Sequence, residues 1–99
     1  MENDLKRALI TGGNDGIGKY TAIGLAQKGF AVTISARNTD KGKRAVEEIK
    51  KASANTHIDM LPLDLADLQS VRRAVAEYRA RFDRLDVLIN NAGIVTSAL

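Results

Sequence analysis

Ninety-nine residues suit a single domain, and 44% apolar with 27% charged residues is ordinary for a soluble globular chain. No cysteine is present, which excludes disulfides, a thiolate nucleophile and a cysteine-based metal site, and no other metal site is expected. The net charge of +3 gathers partly over residues 37–51, but Glu47 and Glu48 interleave there and aromatics make up 4%, so this is expected to be a solvated helix face and not a nucleic-acid surface.

The N-terminus, Met1-Glu2-Asn3-Asp4, is polar and acidic, and the first apolar run, Ala8-Leu9-Ile10, is too short for a signal peptide or a membrane span. A cytoplasmic protein without membrane contact is expected. Ala8-Leu9-Ile10-Thr11 ends at glycine and suits a buried parallel strand. A helix follows, with Gly18, Ala22, Leu25 and Ala26 on one face and Gly29 placed to end it. Residues 31–36 read as the second strand. In the next helix Ala45, Ile49 and Ala52 recur at i, i+4, i+7. Residues 58–63 read as the third strand, and Pro62 within it points to a sheet edge. Leu68, Val71, Val75, Tyr78 and Phe82 then step by three and four, with Asp67 as the N-cap, so both aromatics are expected in the core. Val87-Leu88-Ile89 opens the fourth strand. Strands alternating with helices imply an α/β, Rossmann-type parallel sheet in the order 3-2-1-4, ending after the fourth strand, with residues 1–99 as one half-domain.

Gly12, Gly16 and Gly18 lie between the first strand and the first helix, spaced Gly-x-x-x-Gly-x-Gly. Glycine permits a tight turn, close approach of backbone to a pyrophosphate, and close packing of helix on sheet. A phosphate there would meet the helix N-terminus, where free N–H groups and the helix dipole favour negative charge. A nicotinamide dinucleotide is therefore the expected ligand. At the end of the second strand, an acidic residue would bond the ribose 2′-hydroxyl of NAD, whereas Arg accommodates the 2′-phosphate of NADP. The chain has Ala36, then Arg37 and Asn38, which favours NADP(H). NAD(H) stays open.

Thr11-Gly12-Gly13-Asn14-Asp15-Gly16-Ile17-Gly18 resembles the Thr-Gly-x-x-x-Gly-Ile-Gly signature of the short-chain dehydrogenase/reductase family. Asn90-Asn91-Ala92-Gly93 and Leu63-Asp64-Leu65 are similar to two further elements of that family, in the right order and at successive strand ends. Ala36-Arg37-Asn38 and Asn91-Ala92-Gly93-Ile94 look most like its retinol-dehydrogenase-like branch. The resemblance implies that Gly12, Asn14, Asp15, Gly16, Ile17 and Gly18 cradle the pyrophosphate and adenosine ribose. It places Asp15 near that ribose, where a carboxylate repels a 2′-phosphate and suits a 2′-hydroxyl, which argues for NAD(H) against the Arg37 signal. It implies that Asp64 accepts from the adenine amino group beside the Leu65 N–H, and that Asn91, Ala92 and Gly93 line the adenosine ribose side. For Asn90, a structural role at the strand end is the better reading.

The resemblance also implies hydride transfer between nicotinamide and a carbonyl or alcohol substrate, with a tyrosine as general acid/base, a lysine four residues later, and a serine. No catalytic residue can be assigned. Four residues after Tyr20 and Tyr78 stand Gly24 and Phe82, Ser97 lacks the pair, and His57 reads as a surface or edge residue. The expected identity is the cofactor half of an oxidoreductase, inactive alone. The alternatives are a stand-alone or designed dinucleotide-binding module, or a fragment that pairs with full-length relatives. Cofactor titration and the reading frame beyond Leu99 separate these. Right-handed connections leave one sheet face with a single helix and the fourth strand as an open edge. Self-association through that strand, or marginal folding, is expected.

Overall fold

The computed structural model describes residues 5–14 and 16–91. Four parallel strands and three helices alternate: β1 (Arg7–Thr11), α1 (Gly16–Gln27), β2 (Ala31–Ala36), α2 (Thr39–Ser53), β3 (Ile58–Pro62), α3 (Leu68–Arg81) and β4 (Val87–Asn90). The strand order is β3-β2-β1-β4, as the alternation and Pro62 imply. β2 is buried along its whole length, which explains its continuous apolar and small-residue run.

One face carries the core. Ile10, Val32, Ile34 and Ile58 from the strands pack against Ala22 and Ala26 of α1 and Ala45, Val46 and Ile49 of α2. Alanines on α1 let that helix lie close to the sheet. Gly42 does the same for α2: a Cβ there would meet Met60 Cγ at 2.7 Å and Ala36 Cβ at 3.1 Å. Ala52, expected on the packed face of α2, is exposed in the last turn, where the helix has run past the sheet.

Local signals set the helix ends. Asn38 caps α2, its side chain accepting from Lys41 N at 3.0 Å, and Asp67 caps α3 by accepting from Gln69 N at 2.9 Å. Gly29, at φ 93°, ends α1 in the left-handed region. Asn55 Nδ2 then bonds the Ala26 and Phe30 carbonyls at 2.9 and 3.0 Å, tying the segment after α2 to the end of α1.

Among the described residues, α3 alone covers the other face. Tyr78 and Phe82, expected in the core, are only half-buried, and Leu68 and Val75 are exposed. Their helical spacing is right, but only part of the face they belong to is covered. Leu9, Leu61, Val75, Tyr78 and Leu88 line an apolar groove of about 520 Å³ between α3 and β4. At the groove's foot, Tyr78 and Phe82 rings pack 5.0 Å apart and the Arg7 guanidinium lies 4.1 Å over Phe82. The Tyr78 hydroxyl donates to the Arg84 carbonyl at 2.9 Å, and burial pushes its pKa up. No helix among the described residues is long and apolar enough to cross a membrane.

Candidate functional site

The turn after β1 is shaped by four glycines. Gly12 (φ 68°) and Gly16 (φ 57°) occupy the left-handed region. A Cβ on Gly16 would meet nothing within 4 Å, so conformation, not crowding, requires glycine there, and the space above it is open. Gly13 and Gly18 are required by contact. A Cβ on Gly13 would lie 2.6 Å from Ile34 Cγ2, and one on Gly18 would lie 2.7 Å from the Gly12 carbonyl oxygen and 2.6 Å from Asn91 Nδ2. The sequence pattern marked Gly12, Gly16 and Gly18. Gly13 was missed because its partner is a side chain on β2, distant in sequence.

The turn is tied to its neighbours on both sides. Gly12 N donates to Ser35 Oγ on β2 at 3.1 Å. Thr11 Oγ1 donates to Asn90 Oδ1 at 3.0 Å and accepts from Asn91 N at 3.0 Å, and Asn91 Nδ2 donates to the Gly12 carbonyl at 3.2 Å. Asn90 thus serves structure at the strand end. Asn91 is one of the expected cofactor residues, and here it also holds the glycine turn in place.

These residues open onto a cleft of about 680 Å³ at the C-terminal ends of β1, β2 and β3. Gly12, Asn14, Arg37, Asn38, Asp64, Leu65 and Asn91, all expected from sequence, line it together. Gly16, Gly18 and Ile17 follow at the start of α1, where Ile17 is 78% exposed. Asp15, Ala92 and Gly93 lie outside the described residues, as does Ser97. The cleft adds Ser35 and Lys41. Lys41 lies in the first turn of α2, just past the Asn38 cap, and lines the same cleft as Arg37, which precedes the helix. In the sequence the surrounding lysines make it look like part of a solvated face.

The charges in the cleft are divided. Arg37 and Lys41 stand at the β2 end, while Asp64 stands at the β3 end. Asp64 is held in an Asx turn: its Oδ1 accepts from Ala66 N at 3.0 Å, and its own N–H donates to Ser70 Oγ at 2.8 Å. The turn role and a ligand role are compatible, because a carboxylate has further acceptor positions. No cluster of three or more metal-ligating side chains occurs among the described residues.

A parallel sheet of this order, with a glycine turn at a helix N-terminus and a polar cleft where the strand order reverses, defines the nicotinamide-dinucleotide-binding class of α/β domain. The short chain dehydrogenase family profile matches residues 6–99, and the chain belongs to that family. It is 43% identical over 90 residues to retinol dehydrogenase 11 of Mus musculus, covering 91% of this chain and 28% of that one. It is 42% identical over 88 residues to polyprenol dehydrogenase of Homo sapiens, covering 89% and 27%. Among solved structures, menthone neomenthol reductase from Mentha piperita superposes with a TM-score of 0.82 at 34% identity, over 91% of this chain and 32% of that one. An actinorhodin polyketide ketoreductase with NADPH gives 0.83 at 30% identity, over 93% and 34%. The chain therefore spans roughly a quarter to a third of the length of these relatives. The match to a retinol dehydrogenase agrees with the resemblance carried by residues 36–38 and 91–94.

Proposed function

We propose that the chain is the NADP(H)-binding part of a short-chain oxidoreductase that moves hydride between nicotinamide and a carbonyl or alcohol substrate. The observation that carries the preference for NADP(H) is the presence of two cations, Arg37 and Lys41, on the cleft wall just after β2. A guanidinium fork and an ammonium there suit a doubly charged 2′-phosphate, and no carboxylate follows β2 until Asp40. Asn38 keeps its Oδ1 in the helix cap, which leaves its amide N–H groups as donors.

The remaining residues take the roles their positions allow. The α1 N-terminus carries no acidic residue among the described positions of its first turn, and it faces the open space above Gly16, which suits the pyrophosphate. Gly12, Asn14 and Gly18, with Asp15 where it joins them, shape that cradle. Asp64 accepts from the adenine amino group and Leu65 flanks the ring. Asn91, Ala92 and Gly93 line the ribose side, and exposed Ile17 offers an apolar surface beyond the phosphates. The bound dinucleotide supplies or accepts the hydride. This chain's residues bind it and orient it, and no proton-transfer residue is assigned among them. The substrate belongs to the complete protein. A cytoplasmic location is part of the same reading and rests on composition alone.

Affinity measurements on Arg37→Ala test the assignment. NADPH binding should weaken by at least about tenfold, the scale of one lost charge-assisted contact, with NADH binding little changed. Equal losses for both cofactors would contradict it.

A further inference from the structure

The β3 wall of the cleft is made by four consecutive residues, Leu63, Asp64, Leu65 and Ala66. None of them belongs to a strand or a helix, since β3 ends at Pro62 and α3 begins at Leu68. A segment of this kind holds its shape only where its backbone groups find partners. Leu63 N makes the last bond to the sheet, donating to the Ala36 carbonyl at 3.1 Å. Asp64 then closes the turn on itself. Its Oδ1 accepts from Ala66 N at 3.0 Å, and its carbonyl accepts from Asp67 N at 3.0 Å. Its own N–H donates beyond the turn, to Ser70 Oγ at 2.8 Å.

Ser70 stands in the first turn of α3, at the third position after the Asp67 cap. A side chain at that position commonly reaches back to the N–H of the cap residue. Here the Asp67 N–H is taken by the Asp64 carbonyl, and the Ser70 hydroxyl reaches past it. The helix does not depend on this bond. Asp67 already caps it through Gln69 N at 2.9 Å, and Val71 N donates to the Asp67 carbonyl at 3.1 Å. What the bond fixes is Asp64. The N–H, the carbonyl and Oδ1 of Asp64 are all engaged, while its second carboxylate oxygen, Oδ2, receives no hydrogen bond or ion pair from the described residues.

We infer that Ser70 is a positioning residue for base recognition. It acts through Asp64, holding the carboxylate in one place, and so sets the preference for adenine over a base of the same shape without the amino group. The inference rests on the reading of Asp64 as acceptor for the adenine amino group. Adenine offers an N–H donor to that carboxylate. Hypoxanthine offers a carbonyl oxygen at the same place and an N–H only at the adjoining ring position. A fixed carboxylate meets the carbonyl, acceptor against acceptor, and rejects the base. A carboxylate able to swing reaches the adjoining N–H instead, and the two bases become alike. Of the three bonds on Asp64, only the one to Ser70 comes from the helix, so its loss frees the N–H end of Asp64 and leaves the Asx turn and the helix cap intact.

Binding of NADPH and of its hypoxanthine analogue, reduced nicotinamide hypoxanthine dinucleotide phosphate, tests this. The parent chain should favour NADPH at least about tenfold, the scale of one charge-assisted hydrogen bond. Ser70→Ala should cut that ratio to about threefold or less, chiefly by weakening NADPH. Its circular dichroism should be unchanged, because alanine suits a helix. Ser70→Thr keeps the hydroxyl and should keep the parent's ratio. A Ser70→Ala chain with the parent's ratio would overturn the inference. That includes the case in which both ligands weaken by the same factor, as general loosening of the fold would produce. A Ser70→Thr chain that behaves like Ser70→Ala would equally remove the hydroxyl from its role. A parent with no preference between the two ligands would instead overturn the reading of Asp64, and this inference with it.

Discussion

A methyl group at position 18 would intrude on the Gly12 carbonyl and on the Asn91 amide that bonds it. The backbone oxygen cannot step aside without moving the phosphate-facing turn. Gly18→Ala should therefore lower stability by about 1–3 kcal/mol and weaken cofactor binding as well. Gly24 lies in the same helix, but a Cβ there meets nothing within 4 Å. Gly24→Ala should raise stability by about 0.5–1 kcal/mol, because alanine has less freedom to lose on folding. Urea midpoints of the two variants check the pair, and a change of the same sign in both would contradict the assigned roles. Asp86 makes a third residue-scale case. The Arg84 side chain grips its carboxylate at 2.8 and 2.9 Å, the Arg7 N–H bonds it at 2.8 Å, and these contacts hold its pKa below the ordinary 3.8. Its contribution to stability is thus complete above about pH 3.8 and is lost as pH falls through the lower folded value. Asp86→Asn should remove that part of the acid-side slope, measured as unfolding free energy against pH. The glycine signature and Arg37 were legible in sequence because their chemistry is local. Gly13, Ser35 and Lys41 were not, since each gains its meaning from a neighbour on another element.

At the scale of elements, Asn38 sits at the junction of cap and ligand site. Its side chain closes the first turn of α2, while its position on the cleft wall places it beside Arg37. The two roles can be separated. Asn38→Ala should lose about 1 kcal/mol of stability together with NADPH affinity. Asn38→Asp should keep the cap but place a carboxylate near the 2′-phosphate, so stability should hold while NADPH affinity falls. Thermal melts and NADPH titrations of both variants check this, and full NADPH affinity in the aspartate variant would contradict it. Strand order and helix positions were readable here because Pro62 marked an edge and periodicity marked the helices. The shallow burial of α3 was not. Its apolar period is correct, and exposure of Leu68 and Val75 depends on what covers the face, not on the helix itself.

The described residues form one dinucleotide-binding sheet with two helices packed on one face and α3 on the other. The glycine turn is fixed from both sides, by Ser35 on β2 and by Asn90 and Asn91 at the end of β4. The central claim is that the cleft over the glycine turn holds the dinucleotide. Backbone amide chemical shifts during an NADPH titration test it most directly. Saturable shifts concentrated at Gly12, Gly16, Gly18, Arg37 and Leu65, with Tyr78 and Leu88 unmoved, are the predicted result. Absence of saturable shifts, or shifts centred on the apolar groove between α3 and β4, would contradict it.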